Sequence, residues 1–178
     1  SYRVWCDASV EPLFLSDSDG IRIYRRSLSF LLITVVRELF PEAYVFVDHS
    51  LPFGGFFCEV GGREPFSEEE LAEIEERMRE IVEGDFGIRR ERVPLEDAIE
   101  MFHERGETDK AKLLPRREKD DIKLYNLRDS LDYFHGYMVP STGYLRYFTF
   151  RSGLLGSCSN TLAARIPPSC ARLGITRN

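Results

Sequence analysis

Residues 19–41, DGIRIYRRSLSFLLITVVRELFP, decide the fold. From Ile21 to Phe40 the apolar positions Ile23, Leu28, Leu31, Leu32, Val35, Val36 and Leu39 recur at helical spacing, and Pro41 ends the run. Side chains three and four apart share one face of a helix, so the stripe Leu28, Leu31, Leu32, Val35 needs a second layer to cover it. The following residues supply that layer. Tyr44–Val47 and Gly54–Val60 read as strands, joined by a Pro/Gly loop that carries Asp48 and His49. Ser67–Glu83 reads as a second helix, with Ser67 placed to cap free N–H groups and Glu70 at the capping-box position. Ile88–Val93 is a charged-faced strand, and Pro94–Arg105 a short helix that starts with Pro and stops at Gly106. Lys110–Leu114 reads as one more helical turn before Pro115, and Arg116–Asp121 as a charged loop. Leu124–Phe134 and Tyr144–Phe150 complete the β material, while upstream Val10, Leu13 and Leu15 run into Ser16–Gly20, a turn. The expected fold is α+β: a two-layer domain in which an antiparallel sheet packs against the Arg22–Phe40 and Ser67–Glu83 helices.

The chain has 178 residues, enough for one domain with a sizeable core. No apolar run reaches bilayer-spanning length and no basic-then-apolar leader opens the chain, so it is read as soluble and cytoplasmic. Glutamine is absent while Glu and Arg abound, a mix that points to a thermophilic source. Net charge is −6, and it is unevenly placed: residues 151–178 contain four Arg and no acid, so residues 1–150 hold all 30 acidic side chains against 20 basic ones. An acidic body opposes nucleic acid at long range and leaves only a local basic patch to bind it. Residues 151–178 are also Gly/Ser/Pro-rich and without period. They are expected to be a non-native or disordered tail, added in expression or by a shifted reading frame.

Most familiar catalytic patterns are missing. There is no GxxxxGK[ST] phosphate loop, and no GxGxxG, HExxH or GxSxG. Cys6, Cys58, Cys158 and Cys170 have no CxxC or zinc-ligand spacing, and His49, His103 and His135 are far apart along the chain. No metal and no cofactor are expected. The carboxylate clusters Glu68–Glu70 and Asp120–Asp121 read as a capped helix start and a solvated loop.

From Asp19 the residue order resembles the second additional domain of threonyl-tRNA synthetases, a domain shared with alanyl-tRNA synthetases. That family has an acidic-Gly turn and a helix opening Arg-His-Ser-x-x-His-Leu-Leu; here stand Asp19-Gly20 and Arg25-Arg26-Ser27-Leu28-Ser29-Phe30-Leu31-Leu32. The family's Leu-Trp-Pro is matched by Leu39-Phe40-Pro41, its Gly-Phe-Tyr-Tyr-Asp by Gly55-Phe56-Phe57-Cys58-Glu59, and its Glu-x-Arg-Met by Glu75-Glu76-Arg77-Met78. Its Asp-x-Cys-x-Gly-x-His-Val-Pro resembles Asp132-Tyr133-Phe134-His135-Gly136-Tyr137-Met138-Val139-Pro140. The resemblance is collinear from about Asp7 to Phe150. It implies the family's two-layer fold over residues 21–150, with 1–20 the end of a preceding TGS-like domain or a linker.

In the family two histidines one helical turn apart, with a Cys and a His from the last motif, form the site that hydrolyses mischarged aminoacyl-tRNA. At those positions this chain has Arg26, Phe30, Phe134 and Met138. Phenylalanine offers no lone pair, a thioether suits only soft ions, and arginine stays protonated, so the resemblance implies a degenerate site without catalytic residues or metal. A narrower resemblance, in Ser141–Phe150, is to uridine kinase-like proteins, which join a TGS domain and this domain to a P-loop kinase. It implies a non-catalytic fragment of a nucleoside-kinase-like, ATP-binding transferase. That fragment would hold a ligand for the kinase domain or act as a scaffold. Two further readings stay open: an RNA module that keeps recognition of the tRNA acceptor end, and an aminoacyl-tRNA hydrolase rebuilt around His135 as base with Arg26, Ser27 and His49 nearby. Any ligand is expected to be anionic (a nucleotide, phosphate or RNA end) and bound by Arg25, Arg26, His49 and His135. In this reading Arg22, Arg25 and Arg26 lie in the first turns of the helix, where its dipole favours anions.

Overall fold

A computed structural model describes residues 6–7, 9, 11–50, 56–107, 111–112, 114, 120–152 and 161–165; for 48–50, 151–152 and 161–165 it describes the backbone. Along the described residues run α1 (Ser18–Leu39), β1 (Tyr44–Ser50), β2 (Phe56–Gly61), α2 (Glu68–Glu83), β3 (Arg89–Pro94), α3 (Leu95–Glu104), β4 (Asp121–Leu127), β5 (Ser130–Asp132), β6 (Thr149–Ser152) and β7 (Thr161–Arg165). The fold is α+β, with antiparallel strands covered by helices. The strands divide into two sheets, β1-β2-β7-β6 and β3-β4-β5, where the sequence suggests one. The division follows from β4, which carries apolar side chains on both faces. Tyr125 and Leu127 join the main core under α1 and α2, whereas Ile122 and Leu124 pack with Ala98 and Phe102 of α3. Of residues 151–178, Thr161–Arg165 pair antiparallel with both β2 and β6.

The stripe on α1 is the centre of the main core. Leu28, Leu31, Leu32 and Val35 are each 0% exposed, and burying each is worth about 1.5–3 kcal/mol relative to exposure. The helix begins at Ser18, earlier than the sequence suggests. Asp17 turns its carboxylate back to accept from the Phe14 N–H at 2.7 Å, closing a short turn at 14–17, so Ser18-Asp19-Gly20 belong to the helix. Gly20 is needed for close approach: a Cβ there would stand 1.9 Å from the Phe14 carbonyl oxygen.

The capping box on α2 forms as expected. Ser67 Oγ accepts from the Glu70 N–H at 3.2 Å, and a Glu70 carboxylate oxygen accepts from the Ser67 N–H at 2.9 Å. Glu70 also holds Arg63, whose guanidinium lies over both the Phe40 and Phe66 rings at 4.8 and 4.9 Å. Two β expectations change. Asp48 and His49 lie in β1 rather than in a loop, because pairing resumes at Ser50↔Phe56 after an irregularity. Tyr144–Phe150 is not one strand: only Thr149 and Phe150 belong to β6, and Thr142–Tyr144 is a tight 3-10 turn. Thr142 explains it. Its hydroxyl donates to the Ile81 carbonyl at 2.7 Å and accepts from the Phe86 N–H at 2.9 Å, pinning the segment across the end of α2.

Arg37, near the end of α1, ties that helix to the three-stranded sheet by pairing with Asp132, which is fully buried at the end of β5, and also pairs with Glu107 beyond α3. Ala111 and Lys112 are helical, while Lys110, Leu113 and residues 116–119 lie outside the described residues. Among the described residues no helix is long and apolar enough to cross a membrane.

Candidate functional site

Arg26 and Phe30 are four residues apart on α1 and so share one of its faces. Against that face runs the loop that leaves β5 and carries Phe134, His135, Gly136, Tyr137 and Met138. Ser27 fastens the loop: its hydroxyl donates to the Ile23 carbonyl at 2.8 Å and accepts from the buried Val139 N–H at 2.9 Å. Tyr125 of β4 holds it from the other side, donating to the Gly136 carbonyl at 2.5 Å. The Phe30 and Phe134 rings then lie 5.3 Å apart, tilted against each other, with Phe30 fully buried and Phe134 and Met138 at the margin of the core. Arg26 lies over Gly136 and donates to the Tyr137 carbonyl. Gly136 has φ +101°, which favours glycine, and a Cβ there would stand 2.8 Å from the Arg26 guanidinium, which would have to move aside.

The residues named from the sequence are thus only partly brought together. Phe30 and Phe134 pack ring to ring, Arg26 reaches the same loop at Gly136 and Tyr137, and Met138 borders the main core. His135 is on the same loop beside Gly136 and is exposed. Arg25, one step round the helix, is partly buried, and burial pulls its guanidinium below the ordinary value. His49 lies in β1, with its side chain outside the described residues. The helix-dipole contribution is corrected. With α1 starting at Ser18, Arg25 and Arg26 are past its first turn, where the dipole's influence has fallen off. Arg22 pairs with Asp19 across an exposed turn at 3.4 Å.

Chemically, the cluster offers one guanidinium, two rings and a thioether. None of the four suits a hard or borderline cation. Among the described residues no three His, Cys, Asp or Glu side chains are arranged to hold an ion. Cys58 is buried in β2, and desolvation pushes its thiol up to about 12, which keeps it protonated and unreactive. A cleft of about 640 Å³ between α2 and β6, lined by Glu68, Leu71, Glu75 and Phe150 among others, shares no residue with the cluster.

Sequence reasoning missed Arg90 and Tyr125. Arg90 of β3 places its guanidinium 5.1 Å from the Tyr125 ring and 5.6 Å from the Tyr137 ring, and it reaches the Gly136 carbonyl at 3.5 Å. Burial raises the Tyr125 phenol above its ordinary value, while Arg90 and Arg26 pull the other way. No local pattern marks these residues, because their partners come from distant parts of the chain.

No family model matches the chain. The threonine–tRNA ligase of Aromatoleum aromaticum is 34% identical over 149 residues, which cover 83% of this chain and 23% of the ligase. That of Alkalilimnicola ehrlichii is 36% identical over the same shares. The ligase of Halorhodospira halophila is 37% identical over 143 residues, 80% of this chain and 22% of its own length. This chain is similar to one part of the threonine–tRNA ligases. It spans less than a quarter of the length of these relatives. The similarity to threonine–tRNA ligases supports the additional-domain resemblance carried by Arg25–Leu32 and Asp132–Pro140.

Proposed function

We propose that the chain is a non-catalytic, ligand-holding or scaffolding module of the tRNA-editing-domain type, its hydrolytic chemistry lost. The observation that carries this reading is the filling of the site. Phe30 and Phe134 pack ring to ring at 5.3 Å, and Arg26 closes over Gly136. Phe30, Phe134 and Met138 have no group to activate water, and Arg26, always protonated, cannot serve as the base. The likeness to threonine–tRNA ligases supports the type of module, since a fold outlives its chemistry more readily than the reverse. A hydrolase rebuilt on His135 has less support: the imidazole is exposed, and among the described residues no hydrogen bond orients it.

The deciding experiment is deacylation of mischarged threonine tRNA by the 178-residue chain. The expected rate equals that of the uncatalysed control, with and without added zinc. Deacylation above it that disappears in His135→Ala would overturn the reading in favour of the rebuilt hydrolase. The finer reading, a uridine kinase-like parent with TGS and P-loop kinase domains, draws its support from Ser141–Phe150 alone. Its test is ATP-dependent phosphorylation of uridine by the intact parent protein.

A further inference from the structure

β6 is the outermost strand of its sheet and pairs only with β7. Its free edge faces α2, because the Phe150 N–H donates across the gap to Glu75 at 3.1 Å. A helix carboxylate thus supplies the acceptor that the carbonyl of a neighbouring strand would supply. Successive residues of a strand turn their backbone groups to opposite sides, so the free edge carries those of Phe150 and Ser152. An uncovered edge of this kind is a template for one more strand. α2 does not close on it: between them lies the cleft of about 640 Å³, with Leu71, Ala72 and Phe150 as its apolar lining and Glu68 and Glu76 exposed beside them. Elsewhere on α2, Glu70, Glu75 and Glu80 are engaged by Arg63, Arg79 and Arg77. Among the described residues Glu68 and Glu76 hold no cation. The lining runs along α2 from Glu68 to Arg79, about 16 Å at ~1.5 Å per residue, the length of about five residues of strand.

We propose that this cleft binds a basic peptide in extended form, which adds to the free edge of β6 and runs between that edge and α2. Backbone groups of the peptide pair with those of Phe150 and Ser152, and a peptide carbonyl takes the Phe150 N–H from Glu75. Alternate side chains of a strand share a face, so an apolar residue over Leu71, Ala72 and Phe150 is flanked by two cations that reach Glu68 and Glu76. Main-chain bonds then supply affinity, and the two unpaired carboxylates select a basic partner over a neutral or acidic one. The cleft shares no residue with the Arg26–Phe30–Phe134–Met138 cluster, so peptide binding is independent of whether the chain deacylates tRNA.

The test is fluorescence anisotropy of the 178-residue chain with the labelled peptide Lys-Thr-Leu-Thr-Lys at low salt, beside its acidic counterpart Glu-Thr-Leu-Thr-Glu. The basic peptide is expected to bind and the acidic one not. Glu76→Lys, at an exposed helical position, should weaken binding roughly tenfold by turning an attraction into a repulsion. Glu73→Lys makes the same change on α2 outside the cleft and should alter affinity less than about threefold. Two N-methylated forms of the peptide, one blocking each of its edges, separate strand addition from mere charge: one form should lose binding. Both forms binding as well as the parent peptide would overturn the proposal, as would equal losses in Glu73→Lys and Glu76→Lys. Absence of binding by the basic peptide would overturn it too. Tighter peptide binding by Arg172→Glu would hand the cleft to this chain's own end, and dimerisation abolished by Glu76→Lys would hand it to a second copy; either result overturns the assignment to a separate peptide.

Discussion

Gly136→Ala separates backbone strain from a side-chain collision at the centre of the candidate site. The native φ of +101° is outside the regions an alanine adopts without strain, which costs about 1–3 kcal/mol. The new Cβ would also stand 2.8 Å from the Arg26 guanidinium carbon, closer than van der Waals contact allows. The guanidinium is the far end of a flexible chain and can move away, but it then gives up its bond to the Tyr137 carbonyl. A charged donor's bond is worth roughly 1.5–3 kcal/mol, less here because Arg26 is only partly buried. The expected total is about 2–4 kcal/mol, or a melting temperature lower by roughly 4–16 °C for a chain of this size. In an Arg26→Ala background the collision and the lost bond vanish, so only strain remains and Gly136→Ala should cost about 1–3 kcal/mol. The assay is urea denaturation of the four proteins of this cycle. Equal costs of Gly136→Ala in both backgrounds would refute the placement of Arg26 over the loop.

Thr142→Val keeps the shape of a fully buried side chain but leaves the Ile81 carbonyl and the Phe86 N–H unpaired; it should cost about 2–5 kcal/mol by denaturation, against about 1 kcal/mol for Thr142→Ser. Finding the serine variant the less stable would contradict the pinning role. Ser67→Ala should cost about 1 kcal/mol through loss of the helix cap, read from the shift in denaturation midpoint. Glu70 is held below its ordinary value of 4.5, first by the Ser67 N–H and then by Arg63. A depressed folded value gives stability that is present above 4.5 and lost as pH falls through the folded value. The stability difference between wild type and Glu70→Gln should therefore shrink from about pH 6 to about pH 3; a difference constant over that range would argue against the capping carboxylate. Cys58, buried and raised to about 12, should resist alkylation at pH 8 in the native protein and react on unfolding, whereas exposed Cys6 reacts in both states. Peptide mass mapping after iodoacetamide distinguishes the two.

The parts of this fold written in local pattern were legible in the sequence. The stripe Leu28, Leu31, Leu32, Val35 announces a buried helix face because periodicity is a property of neighbours. Ser67 and Glu70 announce a helix start because both halves of a capping box are within one turn. The parts decided at long range were not legible. Ser16–Gly20 has a turn's composition, yet Gly20 is there to let the helix pass the Phe14 carbonyl, and Asp17 bonds backward. The aromatic run from Tyr144 has strand propensity, but two hydrogen bonds of Thr142 to residues at the end of α2 outweigh it. At the candidate site the positions Arg26, Phe30, Phe134 and Met138 were visible through resemblance. Arg90 looked like one more charge on a solvated strand. Only the cross-strand pairing with Tyr125 and the return of the Gly136 loop give it neighbours.

β4 belongs to both hydrophobic clusters, and this has a bearing on how the protein opens. Were each cluster enclosed by its own elements, α3 with its sheet could detach as a separate unit while the rest stayed folded. Instead, stripping α3 away would bare Ile122 and Leu124 on the strand whose other side, Tyr125 and Leu127, closes the main core. A party wall of this kind couples the fluctuations of the rooms on either side. Amide hydrogens of β4 should exchange with solvent only through opening of the whole domain, whereas those at the exposed C-terminal end of α3 exchange through local fraying. A single cooperative transition, rather than two, is the physical signature of that shared strand.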